Sequence, residues 1–347
     1  MAVYVPILKA RMGEFLALDN AWPPVTAVIK PLLEVMLNMS GDLYGSVLDF
    51  GDRLMATAPK GMAFAVDCRF LQAARNEMND SPLSLVARDV YDRGICMLPV
   101  FSPGDAQDPS DLRRAAGLHK AGGCLRLSLD YLAKATGKER GDRVPDLLEG
   151  TGLASAEIDL VIDLGEVCTH GARGRAARLG QAALSWARRR PWRSVTVAAG
   201  AFPGNISDFP LGAATQVRRW DMALWSSLSG SGAGAEAIGY GDYAVSNPRL
   251  LDGRSPLPNL RYTSDQDWYV YRYPKTASGA FSTFHDLCQA VISSGHWPGR
   301  EFSWGDQQIE ESARRHVGPG NATLWRAFGT SHHLAFVVDR LQQAGMP

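Results

Sequence analysis

Hydrophobic residues in this chain gather into short runs that recur roughly every thirty residues, each bounded by polar or turn-forming residues. The runs are Val3–Lys9, Val25–Val35, Met62–Arg69, Ile95–Phe101, Gly123–Leu129, Ile158–Gly165, Ser194–Gly200 and Glu236–Gly241. Met62–Arg69 is almost continuously apolar until its end, as a parallel strand covered on both faces should be. Between the runs the apolar spacing changes to that of helices. Val47–Ala58 places Val47, Leu48, Phe50, Leu54 and Met55 at helical intervals, and Arg175–Arg189 and Ala214–Leu228 read the same way. Glu14–Asp19 is a short helix after the first run. Ser81-Pro82 and Asp108-Pro109 are helix starts, and Gly94, Gly122-Gly123 and Pro191 are stops. Eight strand–helix units predict a (β/α)8, TIM-like barrel, whose chemistry belongs at the C-terminal ends of its strands.

After the eighth run the rhythm breaks. Ser229–Gly234 reads as a loop, Ser246–Pro258 is rich in turn residues, and Arg261–Tyr273 reads as a β-hairpin turning near Ser264–Asp267. Phe281–Ser293 is the eighth barrel helix, with further helices at Gln307–Arg315 and His333–Gln343. The expected organisation is one barrel domain over 1–347, with 245–347 forming a C-terminal elaboration of hairpin and helices.

Composition narrows the function classes. Thirty-six basic residues balance thirty-six acidic ones, which argues against a global electrostatic grip on nucleic acid. The five cysteines, Cys68, Cys96, Cys124, Cys168 and Cys288, form no C-x-x-C pair and read as reduced thiols rather than zinc ligands. The first residues lack the basic start and apolar core of a signal peptide, and no run reaches membrane-spanning length. A cytoplasmic location is expected.

Strand ends place Lys9, Glu34, Asp67, Arg69, Arg126, Asp163, Glu166 and Asp242 around the barrel mouth. Carboxylates and cations on one rim suit acid–base chemistry, a divalent cation, or recognition of an anion; the bland alternative is that polar residues end strands because water begins there. Lys9 is a Schiff-base or phosphate-clamp candidate, or a lysine snorkelling at the rim. Asp67 and Arg69 share a strand face. Gly200-Ala-Phe-Pro-Gly204 and Gly239-Tyr-Gly241-Asp242-Tyr243 follow the last two strands, where barrels often bind phosphate. Gly200, Asp242, Tyr243, Arg126, Arg261 and Trp304 are therefore candidate ligand-binding residues. His332 is a candidate base, although neighbours on a helix point about 100° apart, so the His332-His333 pair cannot chelate one metal. No nucleotide-binding glycine motif, H-E-x-x-H or G-x-S-x-G occurs. Between Glu166 and Asp208 there is no acidic residue, while Arg173, Arg175, Arg178, Arg188, Arg189, Arg190 and Arg193 appear beside Trp186 and Trp192. This is the best local candidate for a phosphate-backbone or acidic-partner surface, the alternative being a solvated outer helix.

Several phrases carry a resemblance: Tyr4-Val-Pro-Ile-Leu-Lys9, Pro31-Leu-Leu-Glu34, Val66-Asp-Cys-Arg69, Ser194–Pro203, Gly241-Asp-Tyr243, Asn259–Thr263, Trp268, Phe302-Ser-Trp-Gly-Asp306, Gly318–Arg326 and Gly329–His333. Together they cover essentially the whole chain and resemble the "beta protein" family of bacteria and phages. The family name carries no mechanism; its neighbourhoods imply a role in phage–host conflict.

Two expectations follow. One is a barrel hydrolase or lyase acting on a phosphorylated or nucleic-acid-derived substrate, with Lys9, Glu34, Asp67, Arg69 and Asp163 on its floor and Asp242, Arg261 and His332 closing over it. The other is a non-catalytic barrel that presents Trp268, Tyr269, Trp304 and Trp325 to a protein partner in a defence or phage complex.

Overall fold

The computed structural model describes residues 4–74, 76, 78–103, 107–134, 137–230, 238–250, 257–275 and 282–345, with the side chains of 137–143 left out. Its strands are β1 Tyr4–Leu8, β2 Leu32–Glu34, β3 Phe64–Asp67, β4 Met97–Phe101, β5 Gly123–Ser128, β6 Ile158–Glu166, β7 Ser194–Gly200, β8 Ala214–Arg218, β9 Gly239–Asp242, β10 Asn259–Thr263 and β11 Asp267–Arg272. Strands β1 to β7 and β9 close in sequence order into a barrel of parallel pairs, and β10, β11 and β8 form a separate antiparallel sheet. The fold is a (β/α)8 barrel.

Side-chain alternation sorts the barrel residues into two sets. Val5, Ile7, Leu32, Val100, Cys124, Val161, Ala198 and Tyr243 fill the interior, while Tyr4, Leu8, Leu33, Phe64, Val66, Leu125, Leu160 and Tyr240 face the surrounding elements. Gly241 sits where the interior is tightest: a Cβ there would lie 2.8 Å from Ala198 Cβ. The N-terminal end is sealed by Asp159, which accepts from Arg193 at 2.7 Å and from Ser194 Oγ at 2.6 Å.

Ser81 and Asp108 cap their helices as expected, accepting from the backbone N–H of Ser84 and Ser110. Three expected boundaries move. Within Val25–Val35 only Leu32–Glu34 is strand, because Pro23-Pro24 opens a helical turn, Pro23–Thr26, instead of a strand. Ala214–Arg218 belongs to β8, and the helix begins only at Trp220; alternating exposure along Ala214–Arg218 marks it as an edge strand laid on β11. The last helix is far longer than expected, Ala322–Gln343, because Asn321 caps it from the backbone N–H groups of Thr323 and Leu324. Most of Ser229–Gly234, residues 236–237 of the expected eighth strand, 251–256 of the turn-rich segment and Phe281 lie outside the described residues.

The hairpin β10–β11 turns at Ser264–Asp267 as expected, with Thr263 opposite Trp268. With the helices Thr283–Ile292, Trp304–Ala313 and Ala322–Gln343 it builds a second core around Leu260, Tyr262, Phe284, Ile309, Trp325 and Phe328. Glycines set how closely the last helix docks: a Cβ on Gly305 would stand 2.2 Å from Phe328 O, and one on Gly329 would stand 2.7 Å from Arg261 O. No helix among the described residues is long and apolar enough to cross a membrane.

Candidate active site

The inward-facing residue at the C-terminal end of each of several strands is charged, and these charges meet. Arg126, 1% exposed, lies at the centre. Its Nη1 donates to Glu34 Oε1 and Asp67 Oδ2, both at 2.8 Å, and its Nη2 donates to Asp163 Oδ2 and Tyr243 Oη, both at 2.7 Å. The Tyr243 hydroxyl in turn donates to Asp163 Oδ2 at 2.7 Å. Lys9 Nζ bonds Glu34 Oε2 and the Pro248 carbonyl, each at 2.7 Å. Arg69 Nε bonds Asp67 Oδ2 at 2.8 Å. Three cations thus face three carboxylates in a desolvated layer, where each pairing is strong and each unpaired member would be costly.

The titration shifts follow from this geometry. Burial alone would raise the Asp67 carboxyl, but Arg69 and Arg126 hold it below the usual range. Asp163 is likewise lowered against burial by Arg126, Arg69 and the Tyr243 hydroxyl. Burial, reinforced by Asp163 and Glu34 against Arg126, pushes the Tyr243 phenol well above its ordinary value.

A cleft of about 560 Å³ opens above this layer. Glu34, Arg126, Asp163 and Tyr243 form its floor, Arg69 and Phe70 one wall, and Arg175, Glu166 and Arg249 line it further out. Arg69 spends only its Nε on Asp67 and is 23% exposed at the side chain, so its terminal nitrogens face the opening. Glu166 reaches the cleft because β6 slips register between Asp163 and Glu166 at Gly165, whose φ of +62° favours glycine. The segment Tyr243–Leu250 crosses the mouth as a strap. It is held by Lys9 to Pro248 O, by Asn247 Nδ2 to Phe202 O at 2.8 Å, and by an Arg249–Glu166 ion pair at 2.8 Å.

Lys9, Glu34, Asp67, Arg69, Arg126, Asp163 and Tyr243 therefore converge. Lys9 lies behind Glu34 and beneath the Phe70 and Tyr243 rings rather than on the cleft wall, a poor position for a Schiff-base nucleophile. Gly200 supports the strap: a Cβ there would meet Pro248 Cγ at 2.5 Å. The carboxylates expected to hold a divalent cation give their oxygens to Arg126 instead, and among the described residues no cluster of three or more His, Cys, Asp or Glu is arranged to hold a metal.

Four expected site residues are placed elsewhere. Asp242 points outward because Gly241 and Tyr243 take the inward positions of the same strand. It is buried under the C-terminal helix, accepting from Tyr4 Oη at 2.7 Å and meeting His333 Nε2 at 2.8 Å. Burial would raise its carboxyl, but His333 and Arg219 hold it at about 2. His332 does not close over the floor: Nδ1 meets Asp306 Oδ2 and Nε2 meets Thr263 O, both at 2.9 Å, with no exposed surface. The two rings diverge to different carboxylates, Asp306 for His332 and Asp242 for His333, while both also meet Thr263, His333 through Nδ1 and the Thr263 hydroxyl at 2.8 Å. Trp304 packs edge-on against Phe328. Arg261 lies over the Phe202 ring at 4.4 Å and donates to Val245 O. The aromatic residues expected to meet a partner are largely internal, with Trp268 and Trp325 buried and Tyr269 stacked on His296. Sequence reasoning missed Phe70, Pro248 and Leu250 as lining residues; nothing in local patterning separates them from ordinary loop residues.

A closed parallel barrel with a charged cleft at the C-terminal ends of its strands places the chain among TIM-barrel proteins. The Beta protein family model matches residues 4–339, and the chain belongs to that family. No curated protein matches it. Among solved structures it is similar to the YdjI aldolase from Escherichia coli K12, with 9% identity over 98% of this chain and 90% of that one at a TM-score of 0.36. It is also similar to the C-terminal domain of a "putative chitinase" from Desulfitobacterium hafniense DCB-2, with 10% identity over 98% and 99% at a TM-score of 0.36.

Proposed function

We propose that this chain is an enzyme, a hydrolase or lyase, that takes a small phosphorylated or nucleic-acid-derived substrate into the cleft. The observation that supports it most is that one cavity carries guanidinium groups with unused donors, on Arg69 and Arg175, beside the buried carboxylates of Glu34 and Asp163. In this reading Arg69, Arg175 and Arg249 hold the anionic group, since guanidinium forks match phosphate oxygens. Arg126 stabilises negative charge that develops at the floor. Glu34 and Asp163 accept the proton from water or substrate; Asp163, kept ionised by Arg126, is a weak base and needs a proton already acidified by the arginines. Asp67 positions Arg69 and Arg126.

Isothermal titration with inorganic phosphate and nucleoside monophosphates, paired with a product assay, tests it. Binding that weakens at least tenfold in Arg69→Gln, together with turnover, is the expected result. No binding, or binding indifferent to Arg69, overturns it. The mutual satisfaction of the floor charges favours a second reading, a barrel that recognises a ligand or a protein partner without chemistry; binding with no turnover of any bound compound would select it. A role in phage–host conflict is proposed on the family likeness, and phage plating on cells expressing wild type or Arg69→Gln tests it.

A further inference from the structure

The helix His170–Ala187 follows β6 and supplies Arg175 and Leu179 to the cleft wall. From Val167 to Ser207 the chain has no Asp or Glu, and its arginines are Arg173, Arg175, Arg178, Arg188, Arg189, Arg190 and Arg193. Some of these are engaged. Arg193 pairs with Asp159 at 2.7 Å, while Arg173 lies over Trp220 at 4.9 Å and Arg190 over Trp186 at 5.9 Å. Arg175, Arg178, Arg188 and Arg189 are exposed, and none of them forms an ion pair among the described residues. The protein is neutral as a whole, so this concentration of unneutralised charge is local.

Its placement gives it direction. Arg175 and Arg178 are three residues apart and share a helix face. The helix has eighteen residues, about 27 Å of length at 1.5 Å per residue, and Arg188 and Arg189 stand at its far end. A basic track therefore starts inside the cleft and runs down the outside of the barrel. Of the arginines on this track a single phosphate in the cleft reaches only Arg175; a chain of phosphates can pair with the whole track and shed the cations condensed on its own backbone. The cleft volume of about 560 Å³ is that of a pocket for one small molecule, so it admits the end of one strand and not a duplex.

We propose that the occupant of the cleft is the end of a single-stranded nucleic acid, whose phosphodiester backbone continues along Arg175, Arg178, Arg188 and Arg189. This rests on the cleft reading above and specifies its substrate class. The test compares a fluorescein-labelled ten-residue oligothymidylate, phosphorylated at its free end, with thymidine monophosphate, in wild type and in Arg178→Ala/Arg189→Ala. Both substituted residues are exposed and outside the cleft, so the fold and the monophosphate site stay intact. The oligonucleotide should bind wild type at least tenfold more tightly than the monophosphate, with a log–log salt slope near −2 to −3 for three or four phosphate contacts. The double variant should lose that gain, flatten the slope by roughly 1.4, and bind the monophosphate as before. Equal affinity for oligonucleotide and monophosphate, or a gain that survives the double substitution, overturns the proposal while leaving the cleft reading standing. Oligonucleotide binding that the double variant abolishes, with no monophosphate binding in either protein, supports the track and overturns the cleft reading.

Discussion

Replacing Arg126 with Met removes the one cation shared by Glu34, Asp67 and Asp163 while keeping much of the side-chain volume. Lys9 still pairs with Glu34 and Arg69 with Asp67, but Asp163 keeps only the Tyr243 hydroxyl and the Gly165 N–H. Breaking a buried ion pair from one side costs about 3–5 kcal/mol, which for a chain of this length lowers Tm by roughly 4–7 °C. The pH dependence is the sharper signature. In wild type the folded pKa values of Asp67 and Asp163 are depressed. The unfolded chain then binds more protons below the ordinary carboxylate range, so their stabilisation is present above about pH 4 and is lost as pH falls through the folded values. In the variant, burial dominates and Asp163 is raised above its unfolded value. Its penalty is absent at low pH and grows as pH rises through that range. Urea unfolding at pH 5.0 and 7.5 should show the gap between variant and wild type widening at the higher pH, and adding Asp163→Asn to the variant should narrow it. A loss below about 1 kcal/mol, typical of exposed pairs, with no pH trend would refute the buried network.

Asp242→Asn should loosen the docking of the C-terminal helix, because His333 and Arg219 lose a buried charge they both face; limited proteolysis should cut within 259–343 before the barrel, and a wild-type pattern would count against it. Gly329→Ala forces a methyl to 2.7 Å from a backbone oxygen, an overpacking that costs about 1–3 kcal/mol and reads out in thermal melts. Native thiol titration should show fast reaction only at Cys96, which is exposed. Cys168 is pushed up to about 12 by burial and Glu166, and burial raises Cys68, Cys124 and Cys288 further, so all four should react only on unfolding; rapid modification of Cys124 would mean an open barrel interior.

The barrel was legible because a parallel strand buried on both faces has a signature that needs no partner to be read, as in Met62–Arg69. β8 was not, since Ala214–Arg218 is strand only by virtue of lying on β11, and its sequence fits a helix equally well. The floor was legible for the same reason as the barrel: strand ends point at one another when the strands close. Asp242 shows the limit. Its place at a strand end is legible, but the direction of its side chain depends on the inward positions of its own neighbours, Gly241 and Tyr243. The position of His332 is not legible in the sequence, because a helix at the barrel's end can close over the mouth or pack on the flank, and only the tertiary partners Asp306 and Thr263 decide. The strap was invisible, since Pro248 acts through a carbonyl that any residue possesses.

The proposed function requires that the arginine-lined cleft over the neutralised floor bind an oxyanion. Crystals of the protein grown with thymidine monophosphate test it most directly. A phosphate is expected within hydrogen-bond distance of Arg69 and of Arg175 or Arg249, with Arg126 still paired to Glu34, Asp67 and Asp163. A cleft holding only solvent at saturating ligand, or a phosphate bound away from these arginines, would contradict it.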